Sequence, residues 1–163
     1  MATNTSKLSL SQLGQGDVFW ATGFGLGFLR PAPGTWGSLG AVLLWLLWPA
    51  SASLSVQVTL TLAYTGFSIW MVARLMQRLG VQDEPQIVAD EIAGMWAALC
   101  FVEAEALQIA VAFGLFRLLD IAKPWPIGWL DRRYKNSFGV MADDVLAGLV
   151  AGAVTMLCLR LIG

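Results

Sequence analysis

Long apolar runs separated by short polar stretches make up most of the chain. The clearest run covers residues 54–72, which contain no charged residue and come close to the roughly 20 residues that a helix needs to cross the hydrocarbon core of a membrane. We therefore predict a transmembrane helix there. A shorter run, 36–48, is rich in tryptophan, follows a Pro/Gly turn and ends at Pro49, which indicates a shorter helix of the same bundle.

Three further apolar runs lie in the second half of the chain, and each is shorter than a full membrane span. They cover residues 92–102, 106–119 and 145–159. Their length fits a re-entrant or bundle-buried geometry. Residues 18–29 are also apolar, but their glycines weaken a helix, so we expect a short interfacial or buried segment. The predicted fold class is an all-α, small integral-membrane bundle of about five apolar segments.

Composition supports a membrane protein with a single domain. Of the 163 residues, 57% are hydrophobic and only 13% are charged, and the mean hydropathy is +0.67. No linker or repeat divides the chain, so we predict one membrane-embedded domain over 1–163 with a polar segment at 1–17. That segment lacks the apolar core of a removable signal peptide. Basic residues are not interleaved with aromatic ones on a soluble surface, so we expect no nucleic-acid partner.

The basic residues are distributed unevenly when the apolar runs are threaded back and forth across a membrane. Nine of the ten fall on one side, and only Arg160 falls on the other. The nine are Lys7, Arg30, Arg74, Arg78, Arg117, Lys123, Arg132, Arg133 and Lys135. The positive-inside rule predicts that their side is cytoplasmic.

Five carboxylates are predicted to meet at this same end. Asp90 and Glu91 precede one apolar run, Asp120 ends another, and Asp143 and Asp144 precede the last. Carboxylates at membrane depth are costly unless they pair or hold a cation. Because the chain has no histidine and oxygen ligands favour hard cations, we expect Mg²⁺ or Mn²⁺.

Helix capping is the alternative explanation for these carboxylates. Acidic residues in a first helical turn complement the helix dipole, and this could account for one of them alone. Capping does not explain the two adjacent pairs together with Asp120, which ends a helix where the dipole disfavours an acid. Asp90 and Asp144 each precede a glycine by four residues, Gly94 and Gly148, which would let helices approach closely around an ion.

Cationic and hydroxyl side chains accompany the carboxylates. Arg117 lies three residues before Asp120 and either pairs with it or binds a phosphate group, and Lys123 directly precedes a proline that ends the helix. Thr35 and Ser38 lie at a helix start, where backbone N–H groups suit an anion, although a plain N-cap explains the two residues better when they are taken on their own. Together these residues favour metal-dependent phosphoryl chemistry on a lipid.

Four sequence blocks, in order, resemble the phosphatidylglycerophosphatase A family. They run from about Ala21 to Gly152 and read "GFGLGFLRPAPGTWGSLGA", "ADEIAGMW", "FRLLDIAKPWPIGWLDR" and "GVMADDVLAGL". The resemblance implies a Mg²⁺-dependent enzyme of phospholipid biosynthesis in the bacterial inner (cytoplasmic) membrane. Such an enzyme converts phosphatidylglycerophosphate to phosphatidylglycerol and phosphate, with its active site on the cytoplasmic face. Asn136 and Ser137 depart from the family, which usually has two glycines there.

The resemblance also implies roles for individual residues. The metal and catalytic carboxylates would be Asp90, Glu91, Asp120, Asp143 and Asp144. The phosphate-binding residues would be Arg117, Lys123, Arg132, Thr35 and Ser38, with Asp131 and Arg132 forming a further polar pair. Either a bound water attacks the phosphorus directly, or Asp143 or Asp144 first forms an aspartyl-phosphate.

Other functions stay open at the level of the sequence. The same chemistry could act on another lipid phosphomonoester, such as phosphatidic acid or a prenyl phosphate. A cation transporter would place carboxylates at mid-bilayer positions along a pathway rather than at helix ends. A non-catalytic membrane scaffold would use its acidic clusters only as helix caps.

Overall fold

The protein is all helical over residues 8–81 and 84–162, which are the residues that the computed structural model describes. Seven α-helices follow one another: α1 (Gly16–Ala21), α2 (Pro33–Leu47), α3 (Leu54–Leu79), α4 (Ala89–Leu99), α5 (Ala106–Ala122), α6 (Ile127–Arg133) and α7 (Ser137–Ile162). Short 3-10 turns occupy Leu10–Gln12, Leu26–Phe28 and Pro49–Ser51. The predicted all-α class is confirmed. Lys7, one of the basic residues assigned to the cytoplasmic side, lies outside the described residues.

Two of the described helices, α3 and α7, are long and apolar enough to cross a membrane. In their most apolar windows only 28% and 33% of the residues are buried inside the protein. Leu62 and Leu157, for example, leave 67% and 58% of their surface exposed. The core helix of a soluble protein would bury such side chains, whereas a lipid-facing helix leaves them on the outside.

Helix α3 begins at Leu54, as predicted, but it continues beyond the apolar run to Leu79. It ends at Gly80, whose φ of 62° lies in the left-handed region that glycine adopts readily. Arg78 in the last turn complements the negative end of the helix dipole. The charged residues after the apolar run therefore extend the helix rather than end it.

Helix α7 begins earlier than the apolar pattern predicts. Asp143 and Asp144 were expected at the head of the last helix, but α7 starts at Ser137. Both aspartates therefore lie more than one turn inside it. Because free backbone N–H groups occur only in the first turn of a helix, the capping explanation is wrong for these two residues.

Helices α4 and α7 run side by side in the same direction and approach closely through glycine. A Cβ atom on Gly148 would collide with the carbonyl oxygen of Gly94, and one on Gly152 would collide with that of Ala98. The close approach predicted from Gly94 and Gly148 is therefore present. Helix α2 runs in the same direction as this pair, and α3 and α5 run in the opposite direction.

Helices α2 and α4 are too short to cross a bilayer. They have 15 and 11 residues, which at 1.5 Å per residue correspond to about 22 and 16 Å against a hydrocarbon core of about 30 Å. Helix α4 lies inside the bundle, where Ile92, Met95 and Leu99 are fully buried. The run 92–102 is thus bundle-buried, as its length suggested. The prediction is wrong for 106–119, where Leu107 and Leu118 of α5 leave 68% and 62% of their surface exposed, and for 145–159, which lies in the membrane-length helix α7.

The apolar segment 18–29 is short and partly buried. Val18 and Ala21 of α1 are fully buried, and the carbonyl oxygen of Ala21 accepts a hydrogen bond from the backbone N–H of Val88 at 2.8 Å. This bond fastens the segment to the residue that precedes α4. Helices α2, α4 and α7 run in one direction and α5 runs in the other. Their arrangement therefore brings the starts of the first three helices and the end of α5 together at one end of the bundle.

Candidate active site

Three carboxylates from two helices form a compact acidic cluster at this end. Asp90 and Glu91 lie in the first turn of α4, and Asp144 faces them from α7. One oxygen atom of each residue lies within 4.8 Å of the corresponding atoms of the other two. The parallel packing of α4 and α7 brings the three side chains together. We refer to Asp90, Glu91 and Asp144 as the acidic trio.

The oxygen atoms of the acidic trio are not all satisfied by the protein. The backbone N–H of Glu91 donates to Oδ1 of Asp90 at 3.1 Å. Oε2 of Glu91 and Oδ2 of Asp144 are buried without a hydrogen-bond partner among the described residues. Burying carboxylate oxygens in this way is costly unless a cation or another donor binds them. The donor set contains only oxygen, and it therefore fits a hard divalent cation such as Mg²⁺.

Arg117 of α5 lies against the acidic trio and also holds Asp120. Its Nη1 atom is 2.6 Å from Oδ2 of Asp120 and 3.9 Å from Oε1 of Glu91, and it donates a hydrogen bond to Oγ of Ser38 at 3.3 Å. Its Nε atom is buried and has no partner within the described part of the chain. The predicted pairing with Asp120 is thus present, and the same guanidinium group is available to an anion at the trio.

The start of α2 packs directly on the acidic trio. A Cβ atom on Gly34 would collide with Oε1 of Glu91. Ala32, rather than Thr35 or Ser38, is the N-cap residue, so the plain N-cap explanation is wrong for both hydroxyl groups. Oγ of Ser38 donates to the carbonyl oxygen of Gly34 at 2.8 Å. Thr35 lies half-buried in the first turn of the helix.

Asp143 is only 2% exposed, and it binds a second group of charges rather than joining the trio. Its Oδ2 atom accepts a hydrogen bond from Nζ of Lys123 at 2.5 Å, and its Oδ1 atom is buried without a partner among the residues described. Lys123 also donates to Oδ1 of Asp131 at 2.9 Å, and Lys135 donates to Oδ2 of Asp131 at 3.3 Å. Successive residues of a helix point about 100° apart, which is why Asp143 and Asp144 contact different groups.

The charges around Lys123 favour its protonated form. Partial burial by itself would lower the pKa of Lys123, but the hydrogen bonds to Asp143 and Asp131 outweigh it and raise the pKa above its usual range. Burial would likewise raise the pKa of Asp131, yet the hydrogen bonds from Lys123 and then Lys135 hold it below its ordinary value. Lys123 and Asp131 are therefore both charged at neutral pH.

Arg132 lies apart from the acidic trio. It is exposed on α6 and forms no ion pair within the described ranges, and its role in phosphate binding stays a prediction. The neighbouring Asp131 binds Lys123, and this contact depends on helix α6, which the apolar pattern did not predict. The signal for α6 was present as Pro126 before Ile127 and Leu130, a proline followed by apolar residues at helical spacing.

Comparisons with known proteins point to one family. The sequence model of phosphatidylglycerophosphatase A matches residues 19–159. A protein named phosphatidylglycerophosphatase A from Haemophilus influenzae is 37% identical to this chain over 80% of the chain and 81% of its own length. A protein of the same name from Escherichia coli is 36% identical over 82% of the chain and 78% of its own length. A Bacteroides thetaiotaomicron protein named "Putative phosphatidylinositol-3-phosphatase" is 37% identical over 81% of this chain and 86% of its own length. No solved structure matches the chain.

Proposed function

The chain belongs to the phosphatidylglycerophosphatase A family, and on this basis we propose that it hydrolyses phosphatidylglycerophosphate to phosphatidylglycerol and phosphate. The observation that carries the proposal is the acidic trio of Asp90, Glu91 and Asp144 beside the guanidinium group of Arg117. Carboxylates that can bind a metal ion, next to a cationic side chain that can bind a phosphate group, suit phosphate ester chemistry. The two membrane-length helices put this site in a protein with access to a lipid substrate.

The acidic trio is proposed to hold Mg²⁺. Its donors are all oxygen atoms, and two of them are buried without a partner among the residues described. Asp90, Glu91 and Asp144 would be the ligands, because one oxygen atom of each lies within 4.8 Å of those of the other two. When bound, Mg²⁺ supplies Lewis acidity toward the phosphate group.

The side chains around the trio then bind the phosphate group and handle protons. Arg117, fixed by Asp120 and Ser38, offsets the negative charge of the phosphate oxygens. Lys123 supplies a second cationic side chain. Thr35 supplies a hydroxyl group, and the backbone N–H groups at the start of α2 suit an anion. Arg132, exposed on α6, could meet the phosphate only at its outer side.

Two routes of attack on the phosphorus are compatible with these residues. In the first, a carboxylate such as Asp120 orients a water molecule and accepts its proton as the new P–O bond forms, while the P–O bond to the lipid breaks and the lipid alkoxide leaves with a proton. In the second, a carboxylate oxygen of Asp143 or Asp144 attacks, the lipid alkoxide leaves with a proton, and water then hydrolyses the aspartyl-phosphate. Oδ1 of Asp143 and Oδ2 of Asp144 are buried without partners among the described residues. Each oxygen atom could therefore act as the nucleophile of the second route.

We propose that the site faces the cytoplasm in the inner membrane. Arg74 and Arg78 at the end of α3 lie toward the same end of the bundle as Lys123, whereas Arg160 lies in the last turn of α7. This asymmetry follows the positive-inside rule. In this orientation the acidic trio would lie in the leaflet where a newly made anionic phospholipid would meet it.

Another lipid phosphomonoester is the rival substrate. The name of the Bacteroides relative refers to a phosphoinositide, and phosphatidic acid and prenyl phosphates carry the same phosphomonoester group. The acidic trio, Arg117 and Lys123 recognise the phosphate, which all these lipids share. Headgroup choice therefore has to be measured directly.

Phosphate release by the purified protein in detergent tests the proposal. Phosphatidylglycerophosphate, phosphatidylinositol 3-phosphate and phosphatidic acid would be compared with and without Mg²⁺. We expect Mg²⁺-dependent release that is fastest from phosphatidylglycerophosphate and falls about 100-fold in Asp144→Asn. Glu103→Gln, an exposed carboxylate between α4 and α5, is the matched control and should leave the rate unchanged. A folded wild-type protein that releases phosphate from none of these lipids would overturn the proposal.

A further inference from the structure

Asp131, in the short helix α6, is joined to the candidate active site through a single side chain. We propose that Asp131 is a positioning residue, which holds the ammonium group of Lys123 beside Asp143 and so directs that cation toward the phosphate of the substrate. The inference rests on the proposed function, because the phosphate is the group that Lys123 would meet. It adds a residue of α6 to a site otherwise built from α2, α4, α5 and α7.

The side-chain contacts show that Lys123 is held from two directions. Its Nζ atom donates to buried Asp143 on one side and to half-buried Asp131 on the other. A lysine side chain has a flexible four-carbon stem and loses considerable entropy when it is fixed in one conformation. With one carboxylate alone, the ammonium group could turn about that contact. A second carboxylate removes this freedom.

The backbone around Lys123 fixes α6 in the position that this second contact needs. Lys123 is the C-cap of α5, with a φ of 42° in the left-handed region, and its N–H donates to the carbonyl oxygen of Leu119 at 2.8 Å. A Cβ atom on Gly128 would collide with the carbonyl oxygen of Lys123, so α6 packs directly on this residue. Asp131 follows Gly128 by three residues and therefore lies on the same face of α6.

A purely structural role for Asp131 makes a different prediction. Asp131 also accepts a hydrogen bond from Lys135, four residues later and 53% exposed, and such a pair could stabilise the segment by itself. Exposed pairs of this kind contribute little to stability. If that were its only task, replacing Asp131 would lower stability in the same way whether or not Lys123 is present, and it would not alter substrate binding.

Steady-state kinetics of Asp131→Asn in mixed micelles separates the two roles. The substitution keeps the shape of the side chain and removes its charge. We expect KM for phosphatidylglycerophosphate to rise about tenfold, with kcat within about twofold of wild type, because a binding contact made equally in the ground and transition states is weakened. Asp131→Glu, which keeps the charge, should restore most of the affinity. Lys135→Gln, which removes the other partner of Asp131, should leave KM unchanged.

A double-mutant cycle with Lys123→Met tests whether Asp131 acts through Lys123. In that background Asp131→Asn should change KM no further, because its partner is already gone. An unchanged KM in Asp131→Asn, or an equal change in both backgrounds, would overturn the inference while leaving the proposed function intact. A lower melting temperature with unchanged KM would assign Asp131 a structural role only. Absence of phosphate release by the wild type would overturn the proposed function itself.

Discussion

Asp143 and Asp144 are neighbours in the chain, yet they contact different partners. Asp144 faces Asp90 and Glu91 on α4, whereas Asp143 binds Lys123 at the end of α5. The division follows from helix geometry, because one step along a helix turns a side chain by about 100°. An adjacent pair of aspartates therefore supplies one carboxylate to the acidic trio and one carboxylate that binds Lys123.

Gly34 tests how closely the start of α2 controls the acidic trio. In Gly34→Ala the new Cβ atom would collide with Oε1 of Glu91, which lies at the end of a flexible side chain and can move away. We expect the melting temperature to change little, while the Mg²⁺ concentration for half-maximal activity rises about tenfold because a ligand is displaced. Titration of activity with Mg²⁺ measures this.

Gly66→Ala is the matched control for Gly34→Ala. A Cβ atom on Gly66, in the middle of α3, would meet no atom within 4 Å. Its Mg²⁺ dependence should equal that of wild type. An unchanged Mg²⁺ dependence in Gly34→Ala as well would show that the start of α2 does not constrain Glu91.

At the scale of elements, the parallel pair of α4 and α7 builds the site. The two helices touch backbone to backbone through Gly94, Gly148 and Gly152. Helix α4 is too short to span a bilayer, so its stability depends on burial against α7, α5 and α2. Close backbone packing of this kind is how helices associate where water supplies no hydrophobic driving force.

Gly148→Ala should separate this pair. The new Cβ atom would collide with the backbone of Gly94, which cannot move without shifting the whole of α4. We expect a loss of about 1–3 kcal/mol of stability, measured by thermal unfolding in detergent, together with weaker Mg²⁺ dependence. Gly114→Ala in α5, where a Cβ atom would meet nothing within 4 Å, should instead be neutral or slightly stabilising. Equal melting temperatures for the two variants would contradict the packing argument.

At the scale of the whole molecule, apolar surface surrounds a bundle in which the acidic trio, Arg117 and Lys123 lie at one end, whereas Glu103 and Arg160 lie at the other. The tryptophans divide between the core and the exposed surface. Trp45 is buried in the core, whereas Trp48 and Trp125 leave 58% and 81% of their surface exposed. Exposed tryptophans near both ends of a bundle are typical of membrane–water interfaces.

The orientation across the membrane can be tested by labelling single cysteines in intact cells. In a background with Cys100→Ser and Cys158→Ser, we expect Glu103→Cys to react with an impermeant maleimide from outside the inner membrane. Lys135→Cys should react only after the membrane is opened, because the positive-inside rule predicts that the basic end of the bundle faces the cytoplasm. The reverse pattern would contradict the assigned orientation, and equal labelling of both in intact cells would contradict a spanning topology.

The local pattern of residues was sufficient to predict much of the fold. Apolar runs set the positions of α2, α3, α4 and α5, because burial in lipid or in the bundle requires an unbroken apolar stretch. Helix boundaries beyond those runs were harder to predict. The predicted start of α7 was wrong. Polar residues at a helix start can be buried by other helices, and a hydropathy pattern does not reveal this burial.

The sequence alone therefore determined which residues are acidic and which family the chain resembles. It also determined that the acidic residues meet at one end of the bundle. The pairing of Asp120 with Arg117 follows from their spacing within one helix, but only the tertiary structure decided the other contacts: Asp90, Glu91 and Asp144 as a trio, and Asp143 with Lys123. It also brought Asp131 into contact with Lys123, through a short helix without a strong pattern of its own. The physical reason is that the chemistry of a side chain depends on the residue type alone. Which side chains meet depends on how the helices rotate and pack, and many contacts distant in the sequence decide this together.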